Sequence, residues 1–389
     1  MELVELGTLL EMEKGKKPAI VSVEPKEGFL PYVDIDVFEK GIIKQYTEGS
    51  KCTPCEDGDI LIVCDGSRSG LVGKAVKGYV GSTLAIISAP GLNRDYLYHF
   101  VQGKYALLNT RKKGTGTPHL NPELLKKQKL VVPDVAEQER IVARIEELFS
   151  QLDAGVETLK KTKAQLAVYR QAVLKEAFDS ATEDCRMLPI AEILTKTRKG
   201  MSTGPFGTMI KKSDHKTSGV PMLGIENIGK GQFIDGNKIY VTPEKAEELK
   251  AFTLKAGDII ISRSGTVGEI CAVPERAEGA LLSTNLMRVS LDNSIIRSDY
   301  FIALFQSKGI VLDQIKELCK GSTRDFLNQT ILKQIVFPVP SIEKQSEIVS
   351  IIEARMSVCD SIEQTVNTAL QQAEAMRQSI LKDAFEGRI

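Results

Sequence analysis

The fold is decided by two stretches of similar sequence, Ala136–Phe178 (AEQERIVARIEELFSQLDAGVETLKKTKAQLAVYRQAVLKEAF) and Glu343–Phe385 (EKQSEIVSIIEARMSVCDSIEQTVNTALQQAEAMRQSILKDAF). They end two longer segments, Gly114–Phe178 and Gly321–Phe385, which align without a gap. Roughly a third of the aligned positions are identical, which is typical of a duplicated unit. The order along the chain is therefore globular part, long helix, globular part, long helix.

Both stretches have the apolar pattern of a coiled-coil helix. A proline precedes each stretch (Pro133 and Pro340), acidic residues follow it, and neither stretch contains a proline. Apolar side chains recur at alternating spacings of about four and three residues for about five heptads, which favours a coiled coil about 65 Å long. The predicted seam consists of Ile141, Ile145, Leu148, Leu152, Leu159, Leu166, Tyr169 and Val173, and of Ile348, Ile352, Cys359, Ile362, Val366, Ala369, Ala373, Met376 and Ile380.

The direction of the chain predicts how the helices are arranged. The first helix has to carry the chain to the second globular part, and the second helix, packed on the first, has to run back. We predict an α+β fold with two similar α/β domains, separated by two long antiparallel coiled-coil helices and related by a pseudo-twofold internal repeat. The predicted segments are domain 1 (1–135), a central spacer helix (136–180), domain 2 (181–342) and a C-terminal spacer helix (343–389). The alternative is that the helices dimerise the protein or complete the core of one large domain.

A second apolar column lies beside the seam and widens the apolar stripe beyond what a two-stranded coil needs. We expect this column either to receive the helices of a protein partner or to contact the globular domains. Its residues are Val142, Phe149, Val156, Val349 and Met356.

Composition places limits on the class of protein. The 389 residues are enough for two or three domains, and 42% hydrophobic with 26% charged residues is typical of a soluble folded protein. The sequence has no apolar run of membrane-spanning length and no signal-peptide core, and its seven scattered cysteines suggest reduced thiols, so we expect a cytoplasmic protein. Because the net charge is zero, any nucleic-acid binding must depend on local basic clusters.

Each domain carries such clusters and a glycine-rich loop. The apolar strands Gly58–Val63 and Gly257–Ser262 lead into loops that contain Arg68 and Arg263, which we treat as counterparts. Arginine pairs bidentately with the guanine edge, while serine and threonine contact phosphates or bases. The alternative is that the lysine runs are solvated surface and that the loops are simple turns. The candidate DNA contacts are Lys14, Lys16, Lys17, Ser67, Arg68, Ser69, Arg111, Lys112, Lys113, Thr115, Thr117, His119, Arg198, Lys199, Lys211, Lys212, Arg263, Ser264, Thr266, Ser322, Thr323 and Arg324.

Signatures of catalysis are mostly absent from the sequence. It contains no phosphate-binding loop, no complete dinucleotide fingerprint, no Asn/Asp-Pro-Pro-Tyr/Phe tetrapeptide and no nucleophile elbow. Cys52 and Cys55 lack the second pair that a zinc site needs and the helical context of a redox pair. The histidines His99, His119 and His215 are dispersed, and we expect them at the surface. We therefore predict a non-catalytic protein with no metal site and no cofactor of its own.

Taken together, these motifs resemble those of a specificity (S) subunit of a type I restriction-modification system, and the resemblance covers nearly the whole chain. The motifs on which the resemblance depends each occur twice. They are the Gly-Asp-Ile-aliphatic strand with its serine- and glycine-containing loop (Gly58–Gly73, Gly257–Gly268), the polar turn ending in asparagine (Gly114–Asn121, Gly321–Asn328), and the proline, Glu/Gln and Ile-Val sequence that opens each helix.

The resemblance implies two target recognition domains, each reading one half of a bipartite double-stranded DNA site in the major groove. It further implies that the helices set the spacer between the half-sites and dock two methyltransferase (M) subunits, which carry S-adenosylmethionine. Translocase/endonuclease (R) subunits would join the complex. The rival interpretation is a coiled-coil adaptor whose domains bind proteins without DNA contact, and a third is a redox or zinc enzyme that uses Cys52 and Cys55.

Overall fold

The chain folds into two compact units, each combining one globular domain with parts of both long helices. Unit 1 consists of Met1–Lys160 and Asn367–Ile389, and unit 2 of Lys161–Val366. The four predicted segment boundaries stay a prediction. The computed structural model describes residues 3–112, 118–182, 185–229, 231–319 and 327–389.

Unit 1 begins with ten strands and four short helices, and the first long helix follows them. The strands are β1 (Leu3–Glu5), β2 (Glu11–Lys14), β3 (Leu30–Val33), β4 (Tyr46–Thr47), β5 (Pro54–Cys55), β6 (Ile60–Val63), β7 (Val72–Lys74), β8 (Gly78–Val80), β9 (Leu84–Ser88) and β10 (Lys129–Val131). The helices are α1 (Ile35–Lys40), α2 (Arg94–Gln102), α3 (Tyr105–Thr110), α4 (Pro122–Lys126) and α5 (Val135–Thr182).

The strands of unit 1 form two four-stranded sheets around the apolar strand β6. The first sheet has the order β2-β9-β6-β7 and is antiparallel, whereas the second, β4-β3-β8-β5, contains the parallel pair β3–β8. Strand β6 is apolar throughout because both of its faces are buried. Ile60 and Ile62 pack into a core with α2, while Leu61 and Val63 pack with residues of β3 and β8.

Unit 2 repeats most of this series, with one additional hairpin and without a strand equivalent to β5 among its described residues. Its strands are β11 (Arg186–Pro189), β12 (Met201–Thr203), β13 (Val220–Leu223), β14 (Ile228–Gly229), β15 (Gln232–Phe233), β16 (Ile239–Val241), β17 (Ile259–Ser262), β18 (Ile270–Ala272), β19 (Leu281–Leu282), β20 (Leu286–Val289) and β21 (Val336–Val339). Its helices are α6 (Ile190–Ile193), α7 (Pro243–Glu248), α8 (Ser298–Gln306), α9 (Val311–Cys319), α10 (Gln329–Gln334) and α11 (Ile342–Phe385).

Most strand pairings of unit 1 recur in unit 2, whose second sheet has three strands, β16-β13-β19, where that of unit 1 has four. The order β12-β20-β17-β18 matches β2-β9-β6-β7, and the parallel pair β13–β19 matches β3–β8. The pair β11–β21 likewise matches β1–β10. The added hairpin is β14–β15. These matches confirm the prediction of two similar domains.

In unit 2 the helices α5 and α11 pack antiparallel. The guanidinium of Arg170 in α5 lies 2.7 Å from the Asp360 carboxylate and 3.0 Å from that of Glu363, both in α11. Further along α5, Glu176 pairs with Arg355, which precedes these residues in α11. Rising residue numbers on one helix therefore meet falling numbers on the other, as the sequence predicts.

Unit 1 contains the counterpart of this contact with the roles of the helices exchanged. Arg377 in α11 pairs with Asp153 in α5, and its guanidinium carbon lies 4.4 Å from the ring centroid of Phe149. In the aligned repeats Arg377 corresponds to Arg170, and Asp153 to Asp360. The internal repeat is thus present in individual side-chain contacts.

The seam between the helices differs from the predicted one by one residue at two positions. Arg170, rather than Tyr169, faces the other helix in unit 2, and Arg377, rather than Met376, does so in unit 1. Each arginine finds an acidic partner there, and its methylene stem covers apolar surface. The predicted seam residues that are exposed instead are Tyr169 (50%), Ile362 (40%) and Met376 (55%).

A buried glutamine ties the first turn of each long helix to its domain. In unit 2 the amide nitrogen of Gln345 donates to the carbonyls of Pro340 (2.9 Å) and Ile295 (3.0 Å), and its oxygen accepts from the amide of Arg297 (2.8 Å). Gln138 makes the corresponding contacts in unit 1, where its oxygen accepts from a backbone amide at 2.6 Å. The two glutamines are aligned positions of the sequence repeat, and each holds the first turn of its helix against its domain.

Replacement of Gln345 by Ala is expected to lower the free energy of unfolding of unit 2 by about 1–3 kcal/mol, because it leaves backbone groups without their hydrogen-bond partners. Chemical denaturation followed by circular dichroism measures the change. Gln334→Ala is the matched control, since Gln334 is exposed. Equal effects of the two substitutions would contradict the anchoring role.

Candidate nucleic-acid interface

The loop after the central strand, β6 in unit 1 and β17 in unit 2, makes the same backbone hydrogen bond in both units. Its partner is the polar turn that ends at Asn121 or Asn328, called the closing turn below. In unit 1 the amide of Leu120 donates to the carbonyl of Cys64 at 2.7 Å, and in unit 2 the amide of Leu327 donates to the carbonyl of Arg263 at 3.0 Å. Leu120 and Leu327 are aligned positions of the sequence repeat. Arg263 is therefore the structural counterpart of Cys64.

A second pair of hydrogen bonds places the other end of the loop. The amide of Leu71 donates to the carbonyl of Arg68 at 3.0 Å, and the amide of Glu269 donates to that of Thr266 at 3.1 Å. Thr266 is therefore the counterpart of Arg68. The expectation that Arg68 and Arg263 are counterparts is wrong, because matching by residue type ignores the hydrogen-bond register.

In unit 1 the structure brings two predicted DNA contacts, Lys14 and His119, together around a carboxylate that the sequence analysis missed. Lys14 Nζ lies 2.8 Å from Asp65 Oδ2, and His119 Nδ1 lies 2.7 Å from Asp65 Oδ1. Burial by itself would raise the pKa of Asp65, but the hydrogen bonds from Lys14 and His119 lower this pKa below its ordinary value. The sequence carries no signal for this cluster, since its members meet only in the folded chain.

Beside this cluster, Arg68 lines a cleft of about 240 Å³. The Arg68 side chain is 49% exposed and pairs with Glu39 of α1, which is 23% exposed and was not a sequence candidate. The cleft is also lined by Asp36, Lys40 and Asp65. Hydrogen bonds from Lys40 and Lys44 lower the pKa of Asp36 to about 2, so this carboxylate is ionised at neutral pH.

Helix α3 and the residues after it hold the backbone of the Arg68 loop. The amide nitrogen of Asn109 donates to the carbonyls of Ser67 (2.9 Å) and Ser69 (3.0 Å), and Lys112 Nζ donates to the carbonyl of Ser67 (2.5 Å). The Ser69 hydroxyl is buried and donates to the carbonyl of Gly66 at 2.7 Å. Ser69 therefore supports the loop from inside, whereas Ser67 is exposed.

In unit 2 the predicted base-reading arginine is buried. Arg263 is 4% exposed, and its guanidinium donates to the carbonyls of Leu327 and Thr284, each at 3.1 Å. The ring of Phe206, itself half-exposed, lies 5.6 Å from the guanidinium carbon. Burial lowers the pKa of Arg263 below its ordinary value. This side chain joins the loop to the closing turn and does not project from the loop.

The remaining candidates on the loop of unit 2 are neutral and accessible. Ser264 is partly buried, with its hydroxyl 3.4 Å from the side-chain oxygen of Asn285, and Thr266 is exposed. Lys211 and Lys212 are exposed in the segment that precedes β13. The loop positions of unit 2 thus present hydroxyl groups where those of unit 1 present charged groups.

Arg198 and Lys199 lie at the opposite end of the sheet from the loop. Arg198 pairs with the buried Asp258 and donates to the Ser290 hydroxyl at 3.0 Å. Asp258 precedes β17, whereas the loop follows it, and four strand residues span about 13 Å. The structure therefore does not bring Arg198 to the loop residues, and Lys199 is exposed beside it.

The other predicted contacts fall into two groups. Lys16, Lys17 and Arg111 are exposed in unit 1. The rest lie outside the described residues: Lys113, Thr115, Thr117, Ser322, Thr323 and Arg324.

The second apolar column of the helices contacts the domains, which is one of its two predicted roles. Val142 and Phe149 lie in the main core of unit 1, and Val349 lies in that of unit 2 with Met356 packed against it. Val156 is partly buried. At least four of these five candidates are therefore used within the units.

Neither the cysteine pair nor the histidines form a reactive site in the described part of the chain. Burial raises the pKa of Cys55 to about 12 and also raises that of Cys52, so both thiols are protonated at neutral pH. His99 is 5% exposed with its ring 5.7 Å from that of Phe149, so its expected surface position is wrong because this face of α2 packs on α5. Over the same residues, no cluster of three or more His, Cys, Asp or Glu could hold a metal ion. None of the described helices is both long and apolar enough to cross a membrane.

Comparison with solved structures supports the fold. The chain matches, over its full length and 98% of the other chain, a structure from a study of complex assembly and conformational transition in a type I R-M system, with a TM-score of 0.75 and 18% identity. It also matches the HsdS subunit from Thermoanaerobacter tengcongensis over 100% of this chain and 97% of that chain, with a TM-score of 0.52 and 16% identity.

Comparison with curated proteins and family models identifies the family. The specificity subunit of the type I restriction enzyme MjaVIII from Methanocaldococcus jannaschii is 23% identical over all of this chain and 92% of its own length. The EcoKI specificity subunit of Escherichia coli K12 is 23% identical over 96% of this chain and 82% of its own length. The model of the type I restriction modification DNA specificity domain matches residues 1–167 and again 204–372. The chain therefore belongs to the family of type I restriction-modification specificity subunits, with two copies of the specificity domain.

Proposed function

We propose that this chain is the non-catalytic subunit that gives a type I restriction-modification complex its DNA sequence specificity. In this proposal each unit binds one half of a bipartite DNA site in the major groove. The observation that carries it is the pair of loops after β6 and β17. They follow equivalent strands of equivalent sheets but present different side chains. A shared scaffold with different loops suits two readers of two different half-sites.

The accessible residues of these loops and of the segments beside them are the proposed DNA contacts. In unit 1 they are Lys14, Ser67, Arg68 and His119, together with the exposed cations Lys16, Lys17 and Arg111 and the partly buried Lys112. In unit 2 they are the partly buried Ser264 and the exposed Thr266, Lys211 and Lys212. Ser69 and Arg263 are left out as direct contacts, because their polar groups are buried and donate to the protein's own carbonyls. Arg198 and Lys199 remain proposed only as phosphate contacts away from the loop.

The long helices are proposed to set the spacer between the half-sites and to dock two methyltransferase subunits, through which translocase/endonuclease subunits join. The ion pairs Arg170–Asp360 and Arg377–Asp153 support the spacer role, because each fixes the register of one helix against the other. Docking is supported by membership of the family. The apolar column is not offered as the docking surface, since its residues pack in the cores.

The test is selection from a randomised duplex library by the full chain assembled with the methyltransferase subunits of its own system. We expect bipartite sites with a fixed spacer. We also expect the affinity to fall on the order of 10³-fold between about 50 and about 200 mM salt if at least six phosphates are contacted. An assembly that binds no duplex, or binds without salt dependence, would favour the protein-binding adaptor instead.

A further inference from the structure

We propose that Arg68 and Glu39 together read a guanine base in the half-site of unit 1, with Arg68 donating to the guanine and Glu39 orienting Arg68. This inference rests on the proposed function and assigns part of the chemistry of the half-site.

The position of Arg68 suits a group that enters a DNA groove. Its side chain is half-exposed and lines the cleft of about 240 Å³, at the tip of a loop whose backbone is fixed. Asn109 and Lys112 hold the carbonyl of Ser67, immediately before Arg68. The loop therefore presents the guanidinium from a rigid base, which limits the entropy lost on binding.

The ion pair with Glu39 favours a base edge over a phosphate at Arg68. The charged lining of the cleft consists of Asp36, Glu39, Asp65, Lys40 and Arg68, and Asp36 and Asp65 also have lysine partners in Lys44 and Lys14. The Glu39 carboxylate offsets the charge of Arg68 and would repel a phosphate placed beside it. A guanine edge is uncharged and presents two acceptors, O6 and N7, to the guanidinium.

The pairing of Arg68 with Glu39 leaves donors free for such an edge. The contact with Glu39 uses Nη1 of Arg68, and a guanidinium carries five N–H donors. Two parallel donors on the remaining nitrogens match O6 and N7 of guanine. Glu39 lies in α1, so the orientation of the arginine comes from a helix and not from the loop alone.

Unit 2 has a different group at this position. Thr266, the counterpart of Arg68, presents a hydroxyl, which hydrogen-bonds to several bases and discriminates less among them. We therefore expect no such guanine preference at the position that Thr266 reads.

The experiment compares site selection by the wild-type complex with that by complexes containing Arg68→Ala, Arg68→Lys or Glu39→Gln. With Arg68→Ala we expect the preference for guanine at one position of one half-site to fall about 5- to 150-fold, the contribution of a good bidentate pair. Arg68→Lys should restore this preference only partly, since lysine cannot form the bidentate contact. Glu39→Gln should weaken the preference at the same position and at no other.

The matched control is Arg94→Ala, which removes an exposed arginine that pairs with Asp59 at the opposite end of β6 from the Arg68 loop. This variant should select the wild-type sequence. A uniform loss of affinity at all sequences for Arg68→Ala would make Arg68 a phosphate contact and overturn the inference, as would unchanged selection. If the wild-type complex itself selects no sequence, the proposed function fails, and that outcome is distinguishable from failure of the Arg68 assignment.

Discussion

Replacing Phe178 by Ala is expected to lower the free energy of unfolding of unit 2 by about 3–5 kcal/mol, the usual cost of removing a buried phenylalanine ring. Phe178 lies near the end of α5, is 1% exposed and packs edge-to-face on Tyr300 with 5.6 Å between ring centroids. Tyr300 is fully buried and donates its hydroxyl to the carbonyl of Pro338 at 3.0 Å. The cavity left by the ring would therefore open beside a side chain that is already fixed.

The loss should be confined to unit 2, because the neighbours of Phe178 in the core belong to that unit. Hydrogen exchange measured peptide by peptide separates the units: amides of β17 and β20 should lose protection, while those of β6 and β9 keep theirs. Val168→Ala is the control on the same helix, since Val168 is 72% exposed. Equal loss of protection in both units, or none in either, would contradict the assignment of this helix end to the core of unit 2.

The architecture was predictable because its signals are periodic and repeated. The heptad pattern requires only local spacing, and the ungapped repeat from Gly114 and from Gly321 requires only that the chain be compared with itself. Both signals can be read from the sequence without knowledge of any tertiary contact. The structure accordingly confirms two long helices, antiparallel contacts within each unit and two domains of the same topology.

The details of the helix seam and of side-chain burial could not be predicted, because they depend on contacts with residues distant in the chain. Arg170 replaces Tyr169 in the seam because Asp360 and Glu363 stand opposite it, and a hydropathy pattern cannot show which residues will be opposite. His99 is buried because α2 packs on α5. In each case the outcome is set by a contact between segments that are far apart in sequence.

In the candidate site, too, the sequence could not show which residues come together. The Gly-rich loops were visible in the sequence, but Asp65 and Glu39 became candidates only once the fold placed them beside Lys14 and Arg68. Two arginines in similar loops look equivalent by residue type. The backbone hydrogen bonds show that they are not counterparts, and the fold buries Arg263 and exposes Arg68.

Replacing Arg263 by Ala is expected to destabilise unit 2 by at least about 3 kcal/mol. The substitution removes two hydrogen bonds from a charged donor, each contributing about 1.5–3 kcal/mol, and leaves the carbonyls of Leu327 and Thr284 without those partners. Because one of these bonds joins the loop after β17 to Leu327 in the closing turn, both segments should become mobile together. Hydrogen exchange should rise in the loop and around Leu327, and it should stay unchanged in unit 1.

The effect of Arg263→Ala on DNA recognition should differ in kind from that of Arg68→Ala. Since Arg263 positions the loop without facing out of it, we expect affinity for one half-site to fall at all of its positions, with no single base losing its preference alone. Arg263→Lys, which keeps the charge but loses the fork of donors, should recover only part of the stability. A complex with Arg263→Ala that keeps its hydrogen-exchange pattern and loses preference at one base only would show that Arg263 reads DNA directly, and the burial argument would then be wrong.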